Sequence, residues 1–172
     1  MRKLLLVLLA LAAMASGMLA RHWLNAAPAA DPDLAIEFPD PEGKSHRLDE
    51  WKGKVLIVNF WATWCPPCLK EMPEFVQLQN ELGGKGVQFV GVAIDDAQSV
   101  RDFLASAPVN YPVLIGEDGG ADWAAGLGNL MNILPFSAVF DREGKLVQVQ
   151  AGPFDRDDVL KAVGPLLASV AD

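Results

Sequence analysis

The sequence predicts an α/β domain, because two apolar runs of strand length alternate with helical segments and a β-β-α pattern follows. The first run, residues 55–61, has one polar side chain, Asn59, and is rich in β-branched and aromatic residues. That composition is typical of a strand buried on both faces of a sheet. Residues 87–94 form a second such run, and the helix between the two runs predicts that they pair in parallel.

The other elements follow from turn and helix signals. Residues 34–38 and 44–48 flank a turn-rich segment and predict a small hairpin. From Cys65 a helix is predicted to run to Leu82, with Gly83 and Gly84 as its stop. After it we expect a helix at 99–107, a strand at 111–115, a helix at 121–127, a two-stranded hairpin at 136–140 and 146–150, and a helix at 155–169.

The first twenty residues differ from the rest of the chain. After Arg2 and Lys3, residues 4–20 are uncharged, which predicts an export signal, and Ala13-Met14-Ala15 fits its cleavage site. The same segment is at the lower limit of length for an uncleaved membrane anchor, so both interpretations stay open. Residues 21–33 are then a tether and residues 34–172 the domain. Either interpretation predicts a periplasmic or otherwise extracytoplasmic domain, with possible anchoring to the inner membrane.

The overall charge excludes one class of partner. The chain has 22 acidic and 14 basic residues, a formal net charge of −8, and no cluster of lysine and arginine. A protein with general affinity for nucleic acid would carry a basic patch. We therefore expect no nucleic-acid partner.

Both cysteines of the chain, Cys65 and Cys68, lie in a Cys-Pro-Pro-Cys motif. A bridge between them closes a loop too short to stabilise the chain much, so the pair is better explained by reactivity than by structure. A zinc or copper site would need two further ligands. The two histidines, His22 and His46, lie in the tether and the first hairpin, where we expect solvated side chains. We therefore predict neither a metal nor a cofactor.

The position of the motif at the start of a helix suggests its chemistry. The unpaired N–H groups and dipole of a helix N-terminus favour an anion and lower the pKa of a thiol there. Pro66 and Pro67 fit the first helical turn, where no intrahelical donor is lost. Cys65 is then the attacking nucleophile, and Cys68, one turn later and more buried, resolves the mixed disulfide. No histidine lies between the cysteines, so we expect a reductant and not a strong oxidant.

The segment F-W-A-T-W-C-P-P-C, followed by K-E-M-P, resembles the active-site segment of thioredoxin-fold proteins, specifically of the TlpA-like and ResA-like thiol-disulfide oxidoreductases. The resemblance extends over about residues 34–168 and includes the stretch from Leu134-Pro135 to Gly144. It implies a thioredoxin fold, a three-layer α/β/α arrangement with a mixed central sheet. It also implies an N-terminal hairpin and a central insert between Asp95 and Asn132.

The resemblance assigns roles to several residues. Leu134-Pro135 is similar to the cis-proline loop that faces the cysteines and offers backbone groups to a bound peptide. Trp64 is expected to flank the nucleophile, and Pro66 to contact substrate. Asn59 stands where plain thioredoxins carry a buried aspartate that accepts a proton. Glu71 matches a glutamate of ResA-like proteins and is the candidate for tuning the cysteines or transferring protons; the alternative is a solvated glutamate.

The implied function is the reduction of disulfides in extracytoplasmic proteins, such as apocytochrome c or metal-site assembly proteins. Electrons would come from a membrane-embedded thiol donor, and we expect a monomer. Two other functions stay open. A copper chaperone of this fold typically has a wider cysteine spacing and a distal histidine, and a peroxiredoxin-like peroxidase places its cysteine in a different sequence context.

Overall fold

The computed structural model describes residues 32–168. The predicted export or anchor segment and nearly all of the predicted tether lie outside the described residues, as do the last four residues of the chain. Within the described range, no helix has the length and apolar character needed to cross a membrane.

A five-stranded mixed sheet forms the centre of the domain. Its strands in chain order are β3 (Val55–Trp61), β4 (Val87–Ala93), β5 (Val113–Ile115), β6 (Phe136–Phe140) and β7 (Leu146–Ala151). Their spatial order is β5-β4-β3-β6-β7, with β3, β4 and β5 parallel and β6 and β7 each antiparallel to its neighbour. A separate antiparallel hairpin, β1 (Glu37–Pro39) and β2 (Ser45–Arg47), precedes the sheet.

Four α-helices connect or follow these strands: α1 (Pro66–Leu82), α2 (Ala97–Ser106), α3 (Glu117–Gly126) and α4 (Arg156–Ala168). The chain steps from β3 through α1 to β4 and from β4 through α2 to β5 in the same direction. Because such crossovers are right-handed, both helices fall on one face of the sheet. The connection through α3 returns in the opposite direction to β6, and α3 packs on the other face.

The two faces of β3 carry two separate hydrophobic cores. One face contributes Val55, Ile57 and Trp61, which pack with buried residues of α1, α2 and α4. The other face contributes Leu56, Val58 and Phe60, which pack with α3 and the N-terminal hairpin. Every residue of β3 is buried, as the apolar run predicted.

The α/β class and the mixed sheet agree with the sequence prediction, and β3 has the predicted bounds. Helix α1 ends at Leu82 with Gly83 as its C-cap, which confirms the predicted stop. Gly83 keeps a right-handed helical backbone and begins a 3-10 turn, and the left-handed residue that ends it is Gly86, at φ 92°.

The predicted start of α3 at residue 121 is wrong, because the helix begins at Glu117 and includes Gly119, Gly120 and Gly126. A Cβ atom on Gly120 would lie 2.9 Å from Ile94 Cδ1 and 3.1 Å from Val92 Cγ1. Gly120 therefore allows α3 to lie close against β4.

The same close approach makes Gly116, which joins β5 to α3, intolerant of a side chain. A Cβ there would lie 2.6 Å from Val92 Cγ1 and 3.0 Å from Gly120 Cα. We expect Gly116→Ala to lower the free energy of unfolding by about 1–3 kcal/mol, measured by urea denaturation.

Gly126→Ala is the matched control, because Gly126 ends the same helix and a Cβ there meets nothing within 4 Å. This variant should keep the wild-type stability or gain up to ~1 kcal/mol. Equal losses in the two variants would contradict the assignment to close packing.

Candidate active site

The two cysteines lie where the central strand passes into helix α1. Cys65 is the N-cap of α1, with an extended backbone, and is joined to Cys68 by a disulfide with Cα atoms 5.3 Å apart. Pro66 and Pro67 occupy the first two helical positions, where a missing N–H costs no intrahelical bond. The buried strand thus places a thiol pair at the positive end of a helix.

The surroundings of the two sulfur atoms differ. Cys65 Sγ accepts a hydrogen bond from the backbone N–H of Cys68, at 3.3 Å, which is the capping bond to the third helical residue. Cys65 is 5% exposed, whereas Cys68 has no exposed surface. The order of exposure agrees with the sequence prediction, and the helix N-terminus is oriented to favour negative charge on Cys65.

The predicted substrate-contact residues lie at the same end of the sheet. Phe136 pairs with Phe60 at the end of β3, so Pro135 lies next to the strand end that leads to the cysteines. The Leu134–Pro135 peptide bond is cis, as the resemblance implies. Trp64 and Leu134 line one cavity of about 190 Å³. Trp64 and Pro66 are exposed, whereas Pro135 is buried.

Glu71 is buried, so its interpretation as a solvated residue is wrong. It lies one turn after Cys68 on the apolar stripe of α1, with only 6% of its surface exposed. Its Oε1 accepts a hydrogen bond from Asn59 Nδ2 at 2.9 Å, and its Oε2 accepts one from the backbone N–H of Phe154 at 2.9 Å. Burial outweighs these two bonds and raises the pKa of the Glu71 carboxyl to about 7.

Asn59 connects this carboxyl to the sheet. Asn59 and Ser137 are register partners on β3 and β6, and Asn59 Nδ2 also donates to Ser137 Oγ at 3.0 Å. The NH₂ group of Asn59 therefore donates both of its hydrogens, one to Glu71 and one to Ser137. Ser137 was not predicted as a site residue. Its hydroxyl is the only polar side chain in the buried strand Phe136–Phe140, and a buried hydroxyl needs a hydrogen-bond partner, which could have identified it.

A second polar contact that the sequence analysis missed holds the segment before Cys65. Thr63 donates to Asp95 Oδ2 from its backbone N–H, at 3.0 Å, and from its hydroxyl, at 2.6 Å. Asp95 lies two residues after the end of β4, and the carboxyl ends of the parallel strands β3 and β4 meet at one edge of the sheet. An acidic residue immediately after the apolar run at residues 87–94 was the signal that could have found this contact.

His46 is not solvated as predicted, because its ring is half-buried and bonded on both sides. Its Nε2 lies 3.2 Å from Asp40 Oδ2 and its Nδ1 lies 3.2 Å from Glu50 Oε2, while the ring stacks on Trp51. Over residues 32–168, no group of three or more histidine, cysteine or acidic side chains is arranged to hold a metal ion.

The fold and the position of the disulfide place the chain in the thioredoxin superfamily, and comparisons with known proteins define the family. The sequence matches the Redoxin family over residues 25–164. It is 34% identical over 130 residues to the thiol-disulfide oxidoreductase ResA of Bacillus thuringiensis subsp. konkukian, covering 73% of this chain and 73% of that protein.

Solved structures agree with this relationship. A thioredoxin-family thiol:disulfide interchange protein from Chlorobium tepidum superposes with a TM-score of 0.71 at 31% identity, covering 82% of this chain and 99% of that one. A thioredoxin-related protein from Neisseria meningitidis serogroup B gives 0.68 at 30% identity, covering 77% and 99%. The chain belongs to the Redoxin family and, within it, is a ResA-like thiol-disulfide oxidoreductase.

The buried carboxyl predicts a pH dependence of stability. Between its ordinary pKa of 4.5 and the raised value of about 7, Glu71 is ionised in the unfolded state and protonated in the folded state. The folded state then holds more protons, so the free energy of unfolding falls as pH rises through this window and is level above it. At about 1.4 kcal/mol per pKa unit the fall amounts to roughly 3 kcal/mol.

Urea denaturation of the disulfide-bonded protein at pH 4.5, 5.5, 6.5 and 8 measures this slope. The Glu71→Gln variant has no carboxyl to titrate, so its free energy of unfolding should fall by about 3 kcal/mol less over the same range. Identical slopes in the two proteins would show that Glu71 does not titrate with a raised pKa.

Proposed function

We propose that this oxidoreductase acts as a reductase of disulfide bonds in partner proteins, with Cys65 as the attacking residue. The observation that carries the proposal is the asymmetry of the pair. Cys65 caps a helix and reaches the surface, whereas Cys68 lies one turn later and is fully buried. The buried carboxyl of Glu71 follows Cys68 by one further turn of the same helix. A pair of this kind can attack with one thiol and resolve with the other.

The catalytic cycle begins with the reduced pair. The Cys65 thiolate attacks one sulfur of the partner's disulfide, which forms a mixed disulfide and releases the partner's second sulfur as a thiolate that takes up a proton. The Cys68 thiol then loses its proton and attacks Cys65 Sγ. The bond between Cys65 and the partner breaks, and the partner leaves fully reduced. Two electrons have passed to the partner, whose two sulfur atoms take up the proton that Cys68 released and one proton from solvent, and the Cys65–Cys68 disulfide remains.

Glu71 is the proposed acceptor of the Cys68 proton. A general base works best when its pKa lies near the operating pH, and burial brings the pKa of Glu71 to about 7. Asn59 cannot titrate, but it holds one carboxylate oxygen through its amide hydrogen. Proton transfer thus belongs to helix α1 and not to strand β3, and Asn59 acts as a positioning residue.

The dipeptide between the cysteines supports the reducing direction. The Cys65 thiolate is stabilised by the helix N-terminus, and Pro-Pro adds neither a positive charge nor a side-chain donor. Strong oxidants owe their high potential to a strongly stabilised reduced form, which this environment does not provide.

The uncharged segment at residues 4–20 supports an extracytoplasmic location, either after export and cleavage or with a retained inner-membrane anchor. In that location the proposed electron source is a membrane-embedded thiol donor. The proposed partners are disulfide-containing extracytoplasmic proteins such as apocytochrome c or metal-site assembly proteins. Trp64, Pro66, Leu134 and Pro135 are the proposed contacts for the partner, and the domain is proposed to act as a monomer.

Replacement of the resolving cysteine should trap the partner. With Cys68→Ser the mixed disulfide cannot be resolved, so covalent adducts through Cys65 should accumulate and be visible on non-reducing gels. The Cys65→Ser variant should form no adducts, and neither variant should reduce insulin. Adducts that form as readily through Cys68 in Cys65→Ser would reverse the assignment of the nucleophile.

The proposed role of Glu71 can be measured on the thiols themselves. In the reduced protein, Glu71→Gln removes a carboxylate near Cys68, so the pKa of the Cys68 thiol should fall, and resolution of the mixed disulfide should slow by about 10²-fold or more. Alkylation rates against pH report the pKa values, and stopped-flow kinetics report resolution. Unchanged thiol pKa values together with wild-type resolution would leave Glu71 a purely structural role.

A further inference from the structure

The three most exposed large apolar side chains of the described residues lie on two segments that border one cavity. Leu130 is 83% exposed, Met131 81% and Trp64 65%, whereas the other exposed large apolar side chains do not exceed 42%. We call these three residues the apolar rim. Contiguous exposed apolar surface on a soluble domain commonly marks an interaction site.

The turn that carries Leu130 and Met131 is held in place by a buried side chain. Asn129 is 5% exposed, its Nδ2 donates to the Ile133 carbonyl at 2.9 Å, and its Oδ1 accepts from the Ile133 N–H at 2.9 Å. The Asn132 N–H donates to the Asn129 carbonyl at 3.0 Å, and Asn132 has a left-handed backbone at φ 49°. These bonds close the turn upon itself, so its two central side chains project outward.

The apolar rim is continuous with the redox site. Trp64 precedes Cys65, and the turn leads through Leu134 into Pro135. A cavity of about 190 Å³ lies between the two segments. Its walls are mainly apolar and comprise Trp64, Ile94, Ala121, Ala124, Asn129, Asn132 and Leu134.

The two segments that form this surface carry no formal charge. The sequence has no charged residue between Lys54 and Lys70 and none between Asp122 and Asp141, although the whole chain has a net charge of −8. The nearby carboxylate of Asp95 is already bonded to Thr63. A charged peptide would therefore find no countercharge on these segments, whereas an apolar peptide would bury surface on Trp64, Leu130 and Met131.

We infer that the apolar rim selects partners whose disulfide cysteine is flanked by apolar residues, one of whose side chains enters the cavity beside Trp64. This inference rests on the proposed reductase function and adds the chemical class of its substrate. Leu130 and Met131 determine specificity, and Asn129 is a positioning residue that holds their turn. Neither Leu130 nor Met131 takes part in the exchange chemistry.

Two disulfide-containing peptides of equal length and charge test the inference. In one the attacked cysteine is flanked by leucine and phenylalanine, in the other by serine and glycine. The wild-type protein should reduce the apolar peptide with at least tenfold higher kcat/KM. The double variant Leu130→Ser/Met131→Ser should lose about tenfold or more on the apolar peptide and less than twofold on the polar one. Asn129→Ala should follow the same pattern, because it frees the turn.

Leu160→Ser is the matched control, since Leu160 is 37% exposed on α4, outside the rim and the cavity walls. It should leave both rates within twofold of wild type. The reduction potential and the pKa of the Cys65 thiol should be unchanged in the rim variants. If the double variant does not fold, the single variants Leu130→Ser and Met131→Ser make the same comparison.

Equal rates for the two peptides in the wild-type protein would overturn the inference, as would equal losses on both peptides in the rim variants. A wild-type dimer that becomes a monomer in the double variant by sedimentation, with peptide preference unchanged, would also overturn it and assign the rim to self-association. Failure of the wild-type protein to reduce either peptide or insulin would instead refute the proposed reductase function.

Discussion

The buried carboxyl of Glu71 is the interaction on which the arrangement of the active site depends. Burial of an ionisable group is costly unless it is hydrogen-bonded or neutral, and both conditions have a structural source here. Asn59 holds one carboxyl oxygen from the central strand, and the backbone of Phe154 holds the other from the loop before α4. One side chain of α1 thus connects the helix to β3, β6 and the last helix, and fixes the helix that carries the cysteines.

The two ends of this segment of α1 are electrostatically different, and the proposed exchange reaction uses both. At Cys65 the helix N-terminus provides an N–H donor to sulfur and favours the thiolate. One turn beyond Cys68, a desolvated carboxyl retains its proton at a pH where a solvated glutamate has lost it. The first thiol is stabilised as an anion, whereas the second has a group nearby whose pKa suits proton transfer. A short segment of helix therefore gives two identical residues different chemistry.

The central strand and the cysteine pair were predictable from sequence because their signals are local: apolar composition, strand length and proline at a helix start. The burial of Glu71 was not, because a glutamate in the first turns of a helix has the same local pattern whether it faces solvent or the sheet. Its outcome depends on Asn59 and Phe154, which are distant in sequence. The start of α3 was missed for a related reason. Gly119 and Gly120 favour turns locally, and the close packing of Gly120 on β4 explains why a glycine stands within this helix.

In the proposed function, the residues that determine partner specificity lie apart from the buried residues around the two sulfur atoms. Asn59, Glu71 and Ser137 are buried and hydrogen-bonded in series, so a substitution among them disturbs the sheet, the helix and the Glu71 carboxyl together. Leu130 and Met131 lie on a turn closed by its own Asn129, and their side chains are largely exposed. Substitutions there alter the surface presented to a partner without changing the surroundings of Cys65 or Glu71. Under the inferred specificity, the choice of partner can therefore change while the redox chemistry stays constant, which suits a fold that serves many thiol-disulfide exchange reactions.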